Sequence, residues 1–208
     1  MAKKGKPFWR KKPKAGRPGQ SGNKNSGPAG LKVRLLPDGT FEFWHPRDVH
    51  ERKDDLDEVK QMLEAGEYEV AEDELRWLLD GCGPFIEGHR LLGECAVALN
   101  EVRLARGHYG YAFELGRKAI GQQKVDGKFL ADRPANLAFF EAGKGLALCL
   151  ADLGRPDEAR EVLTRLLKLD PRDPQLLDPV LQSLDQIVAR PCTEDDEPDD
   201  DDADEGDE

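Results

Sequence analysis

The chain is short of the features by which many functions announce themselves. Its four cysteines (Cys82, Cys95, Cys149, Cys192) are scattered, without paired spacing. A disulfide framework is not expected, which fits a reducing compartment. Long apolar runs are missing. The most apolar stretch, Gly145 to Leu150, is far too short to span a bilayer. The N-terminus is basic, but no apolar segment follows Lys14, so a secretory leader is not expected. A soluble, cytoplasmic protein is the expectation. Neither a Gly-x-Ser-x-Gly elbow nor a phosphate-binding loop occurs, so no enzymatic activity and no cofactor are expected. His45 and His50, and Cys82, His89 and Cys95, lack the close pairing of a zinc site, so no metal is expected. Cys95 fits an apolar helical stripe, where cysteine packs as a small hydrophobe.

Each end lacks one sign of charge. Residues 1–34 hold eleven Lys and Arg and no acid, and residues 191–208 hold twelve acids and no base. The 20 bases and 30 acids between them are ordinary for a globular domain. Residues 1–30 are Lys, Arg, Gly, Pro, Ser and Asn with little to bury, and read as a disordered basic tail. Residues 191–208 read as a disordered acidic tail that could pair with the basic one.

Residues 31–46 carry a hairpin signature. Val33 and Leu35 precede Pro37-Asp38-Gly39, and Phe41 and Phe43 follow it. A lone hairpin is marginal in water, so its aromatic face is expected to cover the open end of whatever follows.

Residues 47–190 read as an all-α domain. Asp48 and Glu51 have capping-box spacing at a helix start. Leu56, Val59, Met62 and Leu63 recur at helical spacing up to Gly66, and Ala71, Leu75 and Leu78 form the next stripe. Phe85 to Arg106 reads as one long helix broken at Gly107, with Tyr109 to Ile120 as the fourth. Residues 121–131 read as a linker. Helices from Pro134 to Leu153, after Pro156, and from an Asp178 cap and Pro179 complete the domain. Gly143 and Gly145 fall inside a helical pattern, which predicts close helix packing rather than a glycine loop.

Three segments share one skeleton. The last has Leu146-Ala147, Leu150, Gly154, Ala159, Leu163, Leu166 and Pro171. The first has Gly66, Ala71, Leu75, Leu78 and Pro84. The middle has Leu92-Gly93, Gly107, Ala112, Gly116 and Ala119, with seven extra residues before its glycine. These spacings resemble the tetratricopeptide repeat, a helix–turn–helix unit of about 34 residues. The resemblance covers about residues 48–173. It departs from the family at the early tryptophan position (Asp55, His89, Gly143) and the tyrosine position (Met62, Ala96, Leu150).

The resemblance implies about three repeats and a capping helix, and a concave face lined by the first helix of each pair. There it places Lys60, Glu64, Glu87, Arg90, Glu94, Glu141 and Lys144. These do not reproduce the Lys/Asn/Arg set by which some members grip a C-terminal carboxylate. A partner protein or peptide in the groove is the first functional expectation. The alternative is an adaptor docking on RNA or DNA through the basic tail. Lys3, Lys4, Lys6, Arg10, Lys11 and Lys12 would neutralise phosphates there, while Phe8 and Trp9 stack on bases.

Overall fold

The computed structural model describes residues 30–80, 84–123 and 128–189. Both tails, with every residue named for nucleic-acid contact, and Cys82 and Cys192 lie outside them.

Two strands, β1 (Lys32–Leu35) and β2 (Phe41–Trp44), pair antiparallel with Val33 opposite Phe43. Their turn is fixed by Gly39 at φ 78° and by Asp38, whose carboxylate accepts the Thr40 N–H at 3.0 Å. Alternation puts Val33, Phe41 and Phe43 on one face and Trp44 on the other, where it is exposed.

Eight helices follow among the described residues: α1 (Arg47–Glu51), α2 (Lys53–Glu64), α3 (Tyr68–Leu79), α4 (Ile86–Ala98), α5 (Val102–Gln122), α6 (Pro134–Asp152), α7 (Pro156–Leu169) and α8 (Leu177–Ala189). The expected first helix is thus divided. α1 is a single turn after Pro46, no side chain caps it, and α2 starts afresh at Lys53.

α2–α3, α4–α5 and α6–α7 form three hairpins whose turns are built alike. Gly66, Asn100 and Gly154 take φ of 77°, 62° and 71°. The next N–H then reaches back five residues: Glu67 to Met62 O (2.9 Å), Glu101 to Ala96 O (2.7 Å) and Arg155 to Leu150 O (2.9 Å). These are Schellman closures, which satisfy carbonyls that the helix end leaves free.

This geometry corrects the middle repeat. Its turn lies at Asn100, not Gly107, which sits within α5. The alanine equivalent to Ala71 and Ala159 is therefore Ala105, not Ala112. All three are fully buried, and Ala71 and Ala105 are 34 residues apart, one regular period. The surplus belongs to the second helix of the pair. α5 runs 21 residues where α3 has 12 and α7 has 14.

Small residues set the helix spacing. A Cβ on Gly93 or on Gly145 would meet the Tyr109 ring at 2.7 Å, and one on Gly143 would meet Leu166 at 2.7 Å. The glycines of α6 thus serve close packing, as their place in a helical pattern predicts.

The β-hairpin does not cover an open end of the array. It seats over the junction between α5 and α6, because the aromatic partners for its face are there. Phe43 packs at 4.8 Å on Phe129 and 5.3 Å on Phe139, and Phe129 is fully buried. Residues 128–131 are correspondingly more than a linker. The Phe41 N–H donates to Lys128 O, and the Phe129 N–H donates to Leu169 O at the end of α7. Asp170 accepts the Ala131 N–H at 2.8 Å. The hydrogen bonds and charge of Arg172 hold its carboxyl below the usual range against the opposing effect of burial.

α8 closes the array by burying Leu177 and Leu184. Its start is fixed by Asp173, whose carboxylate accepts the N–H groups of Leu177 (2.7 Å) and Asp178 (2.9 Å). Asp178 is therefore inside the helix rather than its cap. Cys95 and Cys149 are buried, and burial pushes the Cys95 thiol up to about 11. Among the described residues no helix is long and apolar enough to cross a membrane.

Candidate functional site

The first helices of the three hairpins, α2, α4 and α6, border one groove. Its wider part is a well of about 510 Å³. Leu56 of α2, Phe85 before α4, and Pro134, Leu137 and Ala138 of α6 give it apolar walls, with Val49 of α1 at one end. Leu137 and Ala138 are half-buried, so apolar surface faces the opening. His45, at the exit of the hairpin, also lines the well, and its Nε2 lies 3.2 Å from Ala135 O. Burial lowers its pKa and favours the neutral ring.

The groove continues into a charged recess of about 290 Å³ that shares Lys60 and Glu141 with the well. Arg90 is its centre. Its guanidinium donates to Glu87 at 2.9 Å and to Glu94 at 3.0 Å, and lies 3.2 Å from Glu141. Lys60 reaches across from α2 to Glu87 at 3.0 Å. Glu64 borders the same recess. Across recess and well together, Glu64, Glu87, Glu94 and Glu141 face Lys53, Lys60 and Arg90, an excess of one negative charge.

The acids respond differently. Burial alone would raise Glu87, but the hydrogen bonds and charge of Arg90, with Lys60 behind them, hold it below the usual carboxylate range. Glu141 lies above that range. Burial and its neighbours Glu87 and Glu94 raise it more than Arg90 lowers it.

Of the residues assigned to the concave face from the repeat pattern, Lys60, Glu64, Glu87, Arg90, Glu94 and Glu141 come together. Lys144 stands apart, its Nζ donating to Gln175 O at 2.7 Å and so fixing the approach to α8. Nothing in the sequence marks the apolar half of the groove. Leu56 stands in the sequence only as a member of a helical stripe, and Leu137, Val49 and Ala138 carry no signal of a site.

Comparison with known proteins matches the same architecture. Residues 140–180 match the tetratricopeptide-repeat family profile. The first tetratricopeptide domain of Spaghetti (RPAP3), solved with an HSP90 peptide, is 16% identical with a TM-score of 0.51. The match covers 64% of this chain and 90% of that one. The Yersinia enterocolitica type III secretion chaperone SycD, solved with a peptide of the translocator YopD, is 17% identical with a TM-score of 0.51. It covers 67% of this chain and 95% of that one. A second structure of SycD matches at the same identity and TM-score, over 86% of its chain. No curated protein matches the sequence.

Proposed function

We propose that this tetratricopeptide-repeat chain is a non-catalytic adaptor that holds an extended segment of a partner protein in the groove between α2, α4 and α6. One observation carries the reading. A concave, mainly apolar well opens directly onto a few convergent charged groups, the composition of a binding site. The charged groups are held by one another before any ligand arrives, so little ordering is left for binding to supply. RPAP3 and SycD, which share the fold, were solved with peptides bound.

The test is selection of a random peptide display library on the full chain. Enriched peptides should lose binding to Leu137→Asp in the groove. They should keep it with Leu148→Asp, exposed elsewhere on α6. Equal binding to both variants would remove the groove from the reading.

A further inference from the structure

We propose that, in the free protein, the groove is occupied by the chain's own residues 6–12, Lys6-Pro7-Phe8-Trp9-Arg10-Lys11-Lys12. This rests on the groove being the binding surface argued above, and adds what fills it and how access is controlled.

Charge gives the first argument. Along the groove Glu64, Glu87, Glu94 and Glu141 outnumber Lys53, Lys60 and Arg90 by one negative charge, and the recess itself sets Glu64, Glu94 and Glu141 against Lys60 and Arg90. An acidic ligand is repelled there and a basic one attracted. The adjacent well asks for something different, an apolar group large enough to cover Leu56, Phe85 and Leu137. The complementary ligand is therefore a short segment with aromatic residues next to cations.

The chain contains that segment. Phe8-Trp9 is followed directly by Arg10-Lys11-Lys12. The other segments outside the described residues, 81–83, 124–127 and 190–208, contain no aromatic residue.

Reach gives the third argument. Residues 13–29 separate the segment from Gly30, where the described chain begins. Extended, they span up to about 60 Å. The longest helix, α5, has 21 residues and measures about 32 Å. The tail can therefore reach the groove from its point of attachment. Tethering puts it at an effective concentration near the millimolar range, so modest intrinsic affinity suffices. A partner would have to displace it. The acidic residues 194–208 offer the same cations a rival site.

Two measurements on the full chain decide this. In the first, Phe8 is replaced by a benzophenone amino acid, the protein is irradiated, and cross-links are mapped by mass spectrometry. Cross-links within one molecule to α2 and α6 around Leu56 and Leu137 are expected. Cross-links confined to residues 191–208, to the exposed Trp77 side of α3, or to a second molecule would overturn the proposal.

In the second, a labelled synthetic peptide of residues 3–14 is titrated against wild type and Phe8→Ala/Trp9→Ala. The variant, its own segment disarmed, should bind about ten-fold more tightly, and Leu137→Asp in that background should abolish the gain. Equal affinity for wild type and variant would overturn self-occupancy. No binding to either, with display-selected peptides still held, would overturn it and leave the groove standing. Failure of those peptides too would remove the groove itself.

Discussion

Asn136 holds Phe43 across 93 residues of chain, its Oδ1 accepting the Phe43 N–H at 3.0 Å. Its Nδ2 donates to Phe41 O (3.0 Å) and Leu130 O (2.9 Å), so one buried amide joins the hairpin, the residues before α6, and α6 itself. Asn136→Leu takes the side-chain partner from the Phe43 N–H and from Phe41 O, while Leu130 O keeps the Arg133 N–H at 3.3 Å. Each such group costs about 1–3 kcal/mol when it stays buried. The expected loss is about 2–4 kcal/mol, read from urea unfolding of the full chain, with the hairpin's amide protection in hydrogen exchange falling first.

The turn at Asn100 predicts an opposite pair of effects. Gly107 lies inside α5 with open space around a Cβ, so Gly107→Ala should stabilise by about 0.5–1 kcal/mol. Asn100→Ala puts an ordinary side chain at φ 62° and should cost about 1 kcal/mol. A turn at Gly107 would reverse the first sign. Chemical denaturation of the two variants decides it.

This is also where the sequence was hardest to read. Gly154, Ala159 and Leu169-Asp170-Pro171 carry the third repeat openly, because a glycine marks the turn. Asn100 adopts the same left-handed backbone without standing out, while Gly107 seven residues later has the residue type of a turn but lies inside α5. The charged half of the groove followed from the repeat, since the pattern says which helices line the inner face. The apolar half did not. An apolar residue at helical spacing looks the same whether it meets a neighbouring helix or an open well. Nor did Asn136, a single polar residue after Pro134, signal that it anchors a hairpin 93 residues away.

Arg90 should be the least replaceable charge in the recess. Its side chain is 15% exposed and serves Glu87, Glu94 and Glu141 together. Arg90→Ala leaves these acids against one another, with only Lys60 near. Removing one member of a buried ionic cluster costs about 3–5 kcal/mol, and partial solvent access here lowers the expectation to about 2–4. The deficit should narrow below pH 5 as the freed carboxylates protonate, which thermal unfolding at a series of pH values would show.

His89 supplies a pH dependence of its own. Burial, with His108 beside it (ring centroids 6.0 Å apart), lowers its pKa to about 4. The unfolded chain therefore binds more protons than the folded one between pH 6.5 and about 4. Stability that is fully present at neutral pH is lost as pH falls through that window. Because the ring is partly exposed, the expected contribution is discounted to about 1 kcal/mol. His89→Phe should lose less stability than wild type between pH 7 and pH 4.5, and equal losses would show that the histidine does not titrate in this way.

The clamp between Asn136 and the hairpin has a consequence for the order in which the protein can assemble during synthesis. β1 and β2 leave the ribosome before every described helix, but Phe129 and Asn136 follow about 90 residues later, and Leu169, which receives the Phe129 N–H, later still. At about 5–20 residues per second the pair of strands waits roughly 5–20 seconds for its docking surface. Through that interval Phe41 and Phe43 lack the rings of Phe129 and Phe139 on which the strand pair finally packs, and of its docking surface only α5 precedes them. A strand pair that precedes every described helix in the chain is thus among the last to lock into place, and the nascent chain passes through a stage in which an aromatic face stands ready for any chaperone that binds such surfaces.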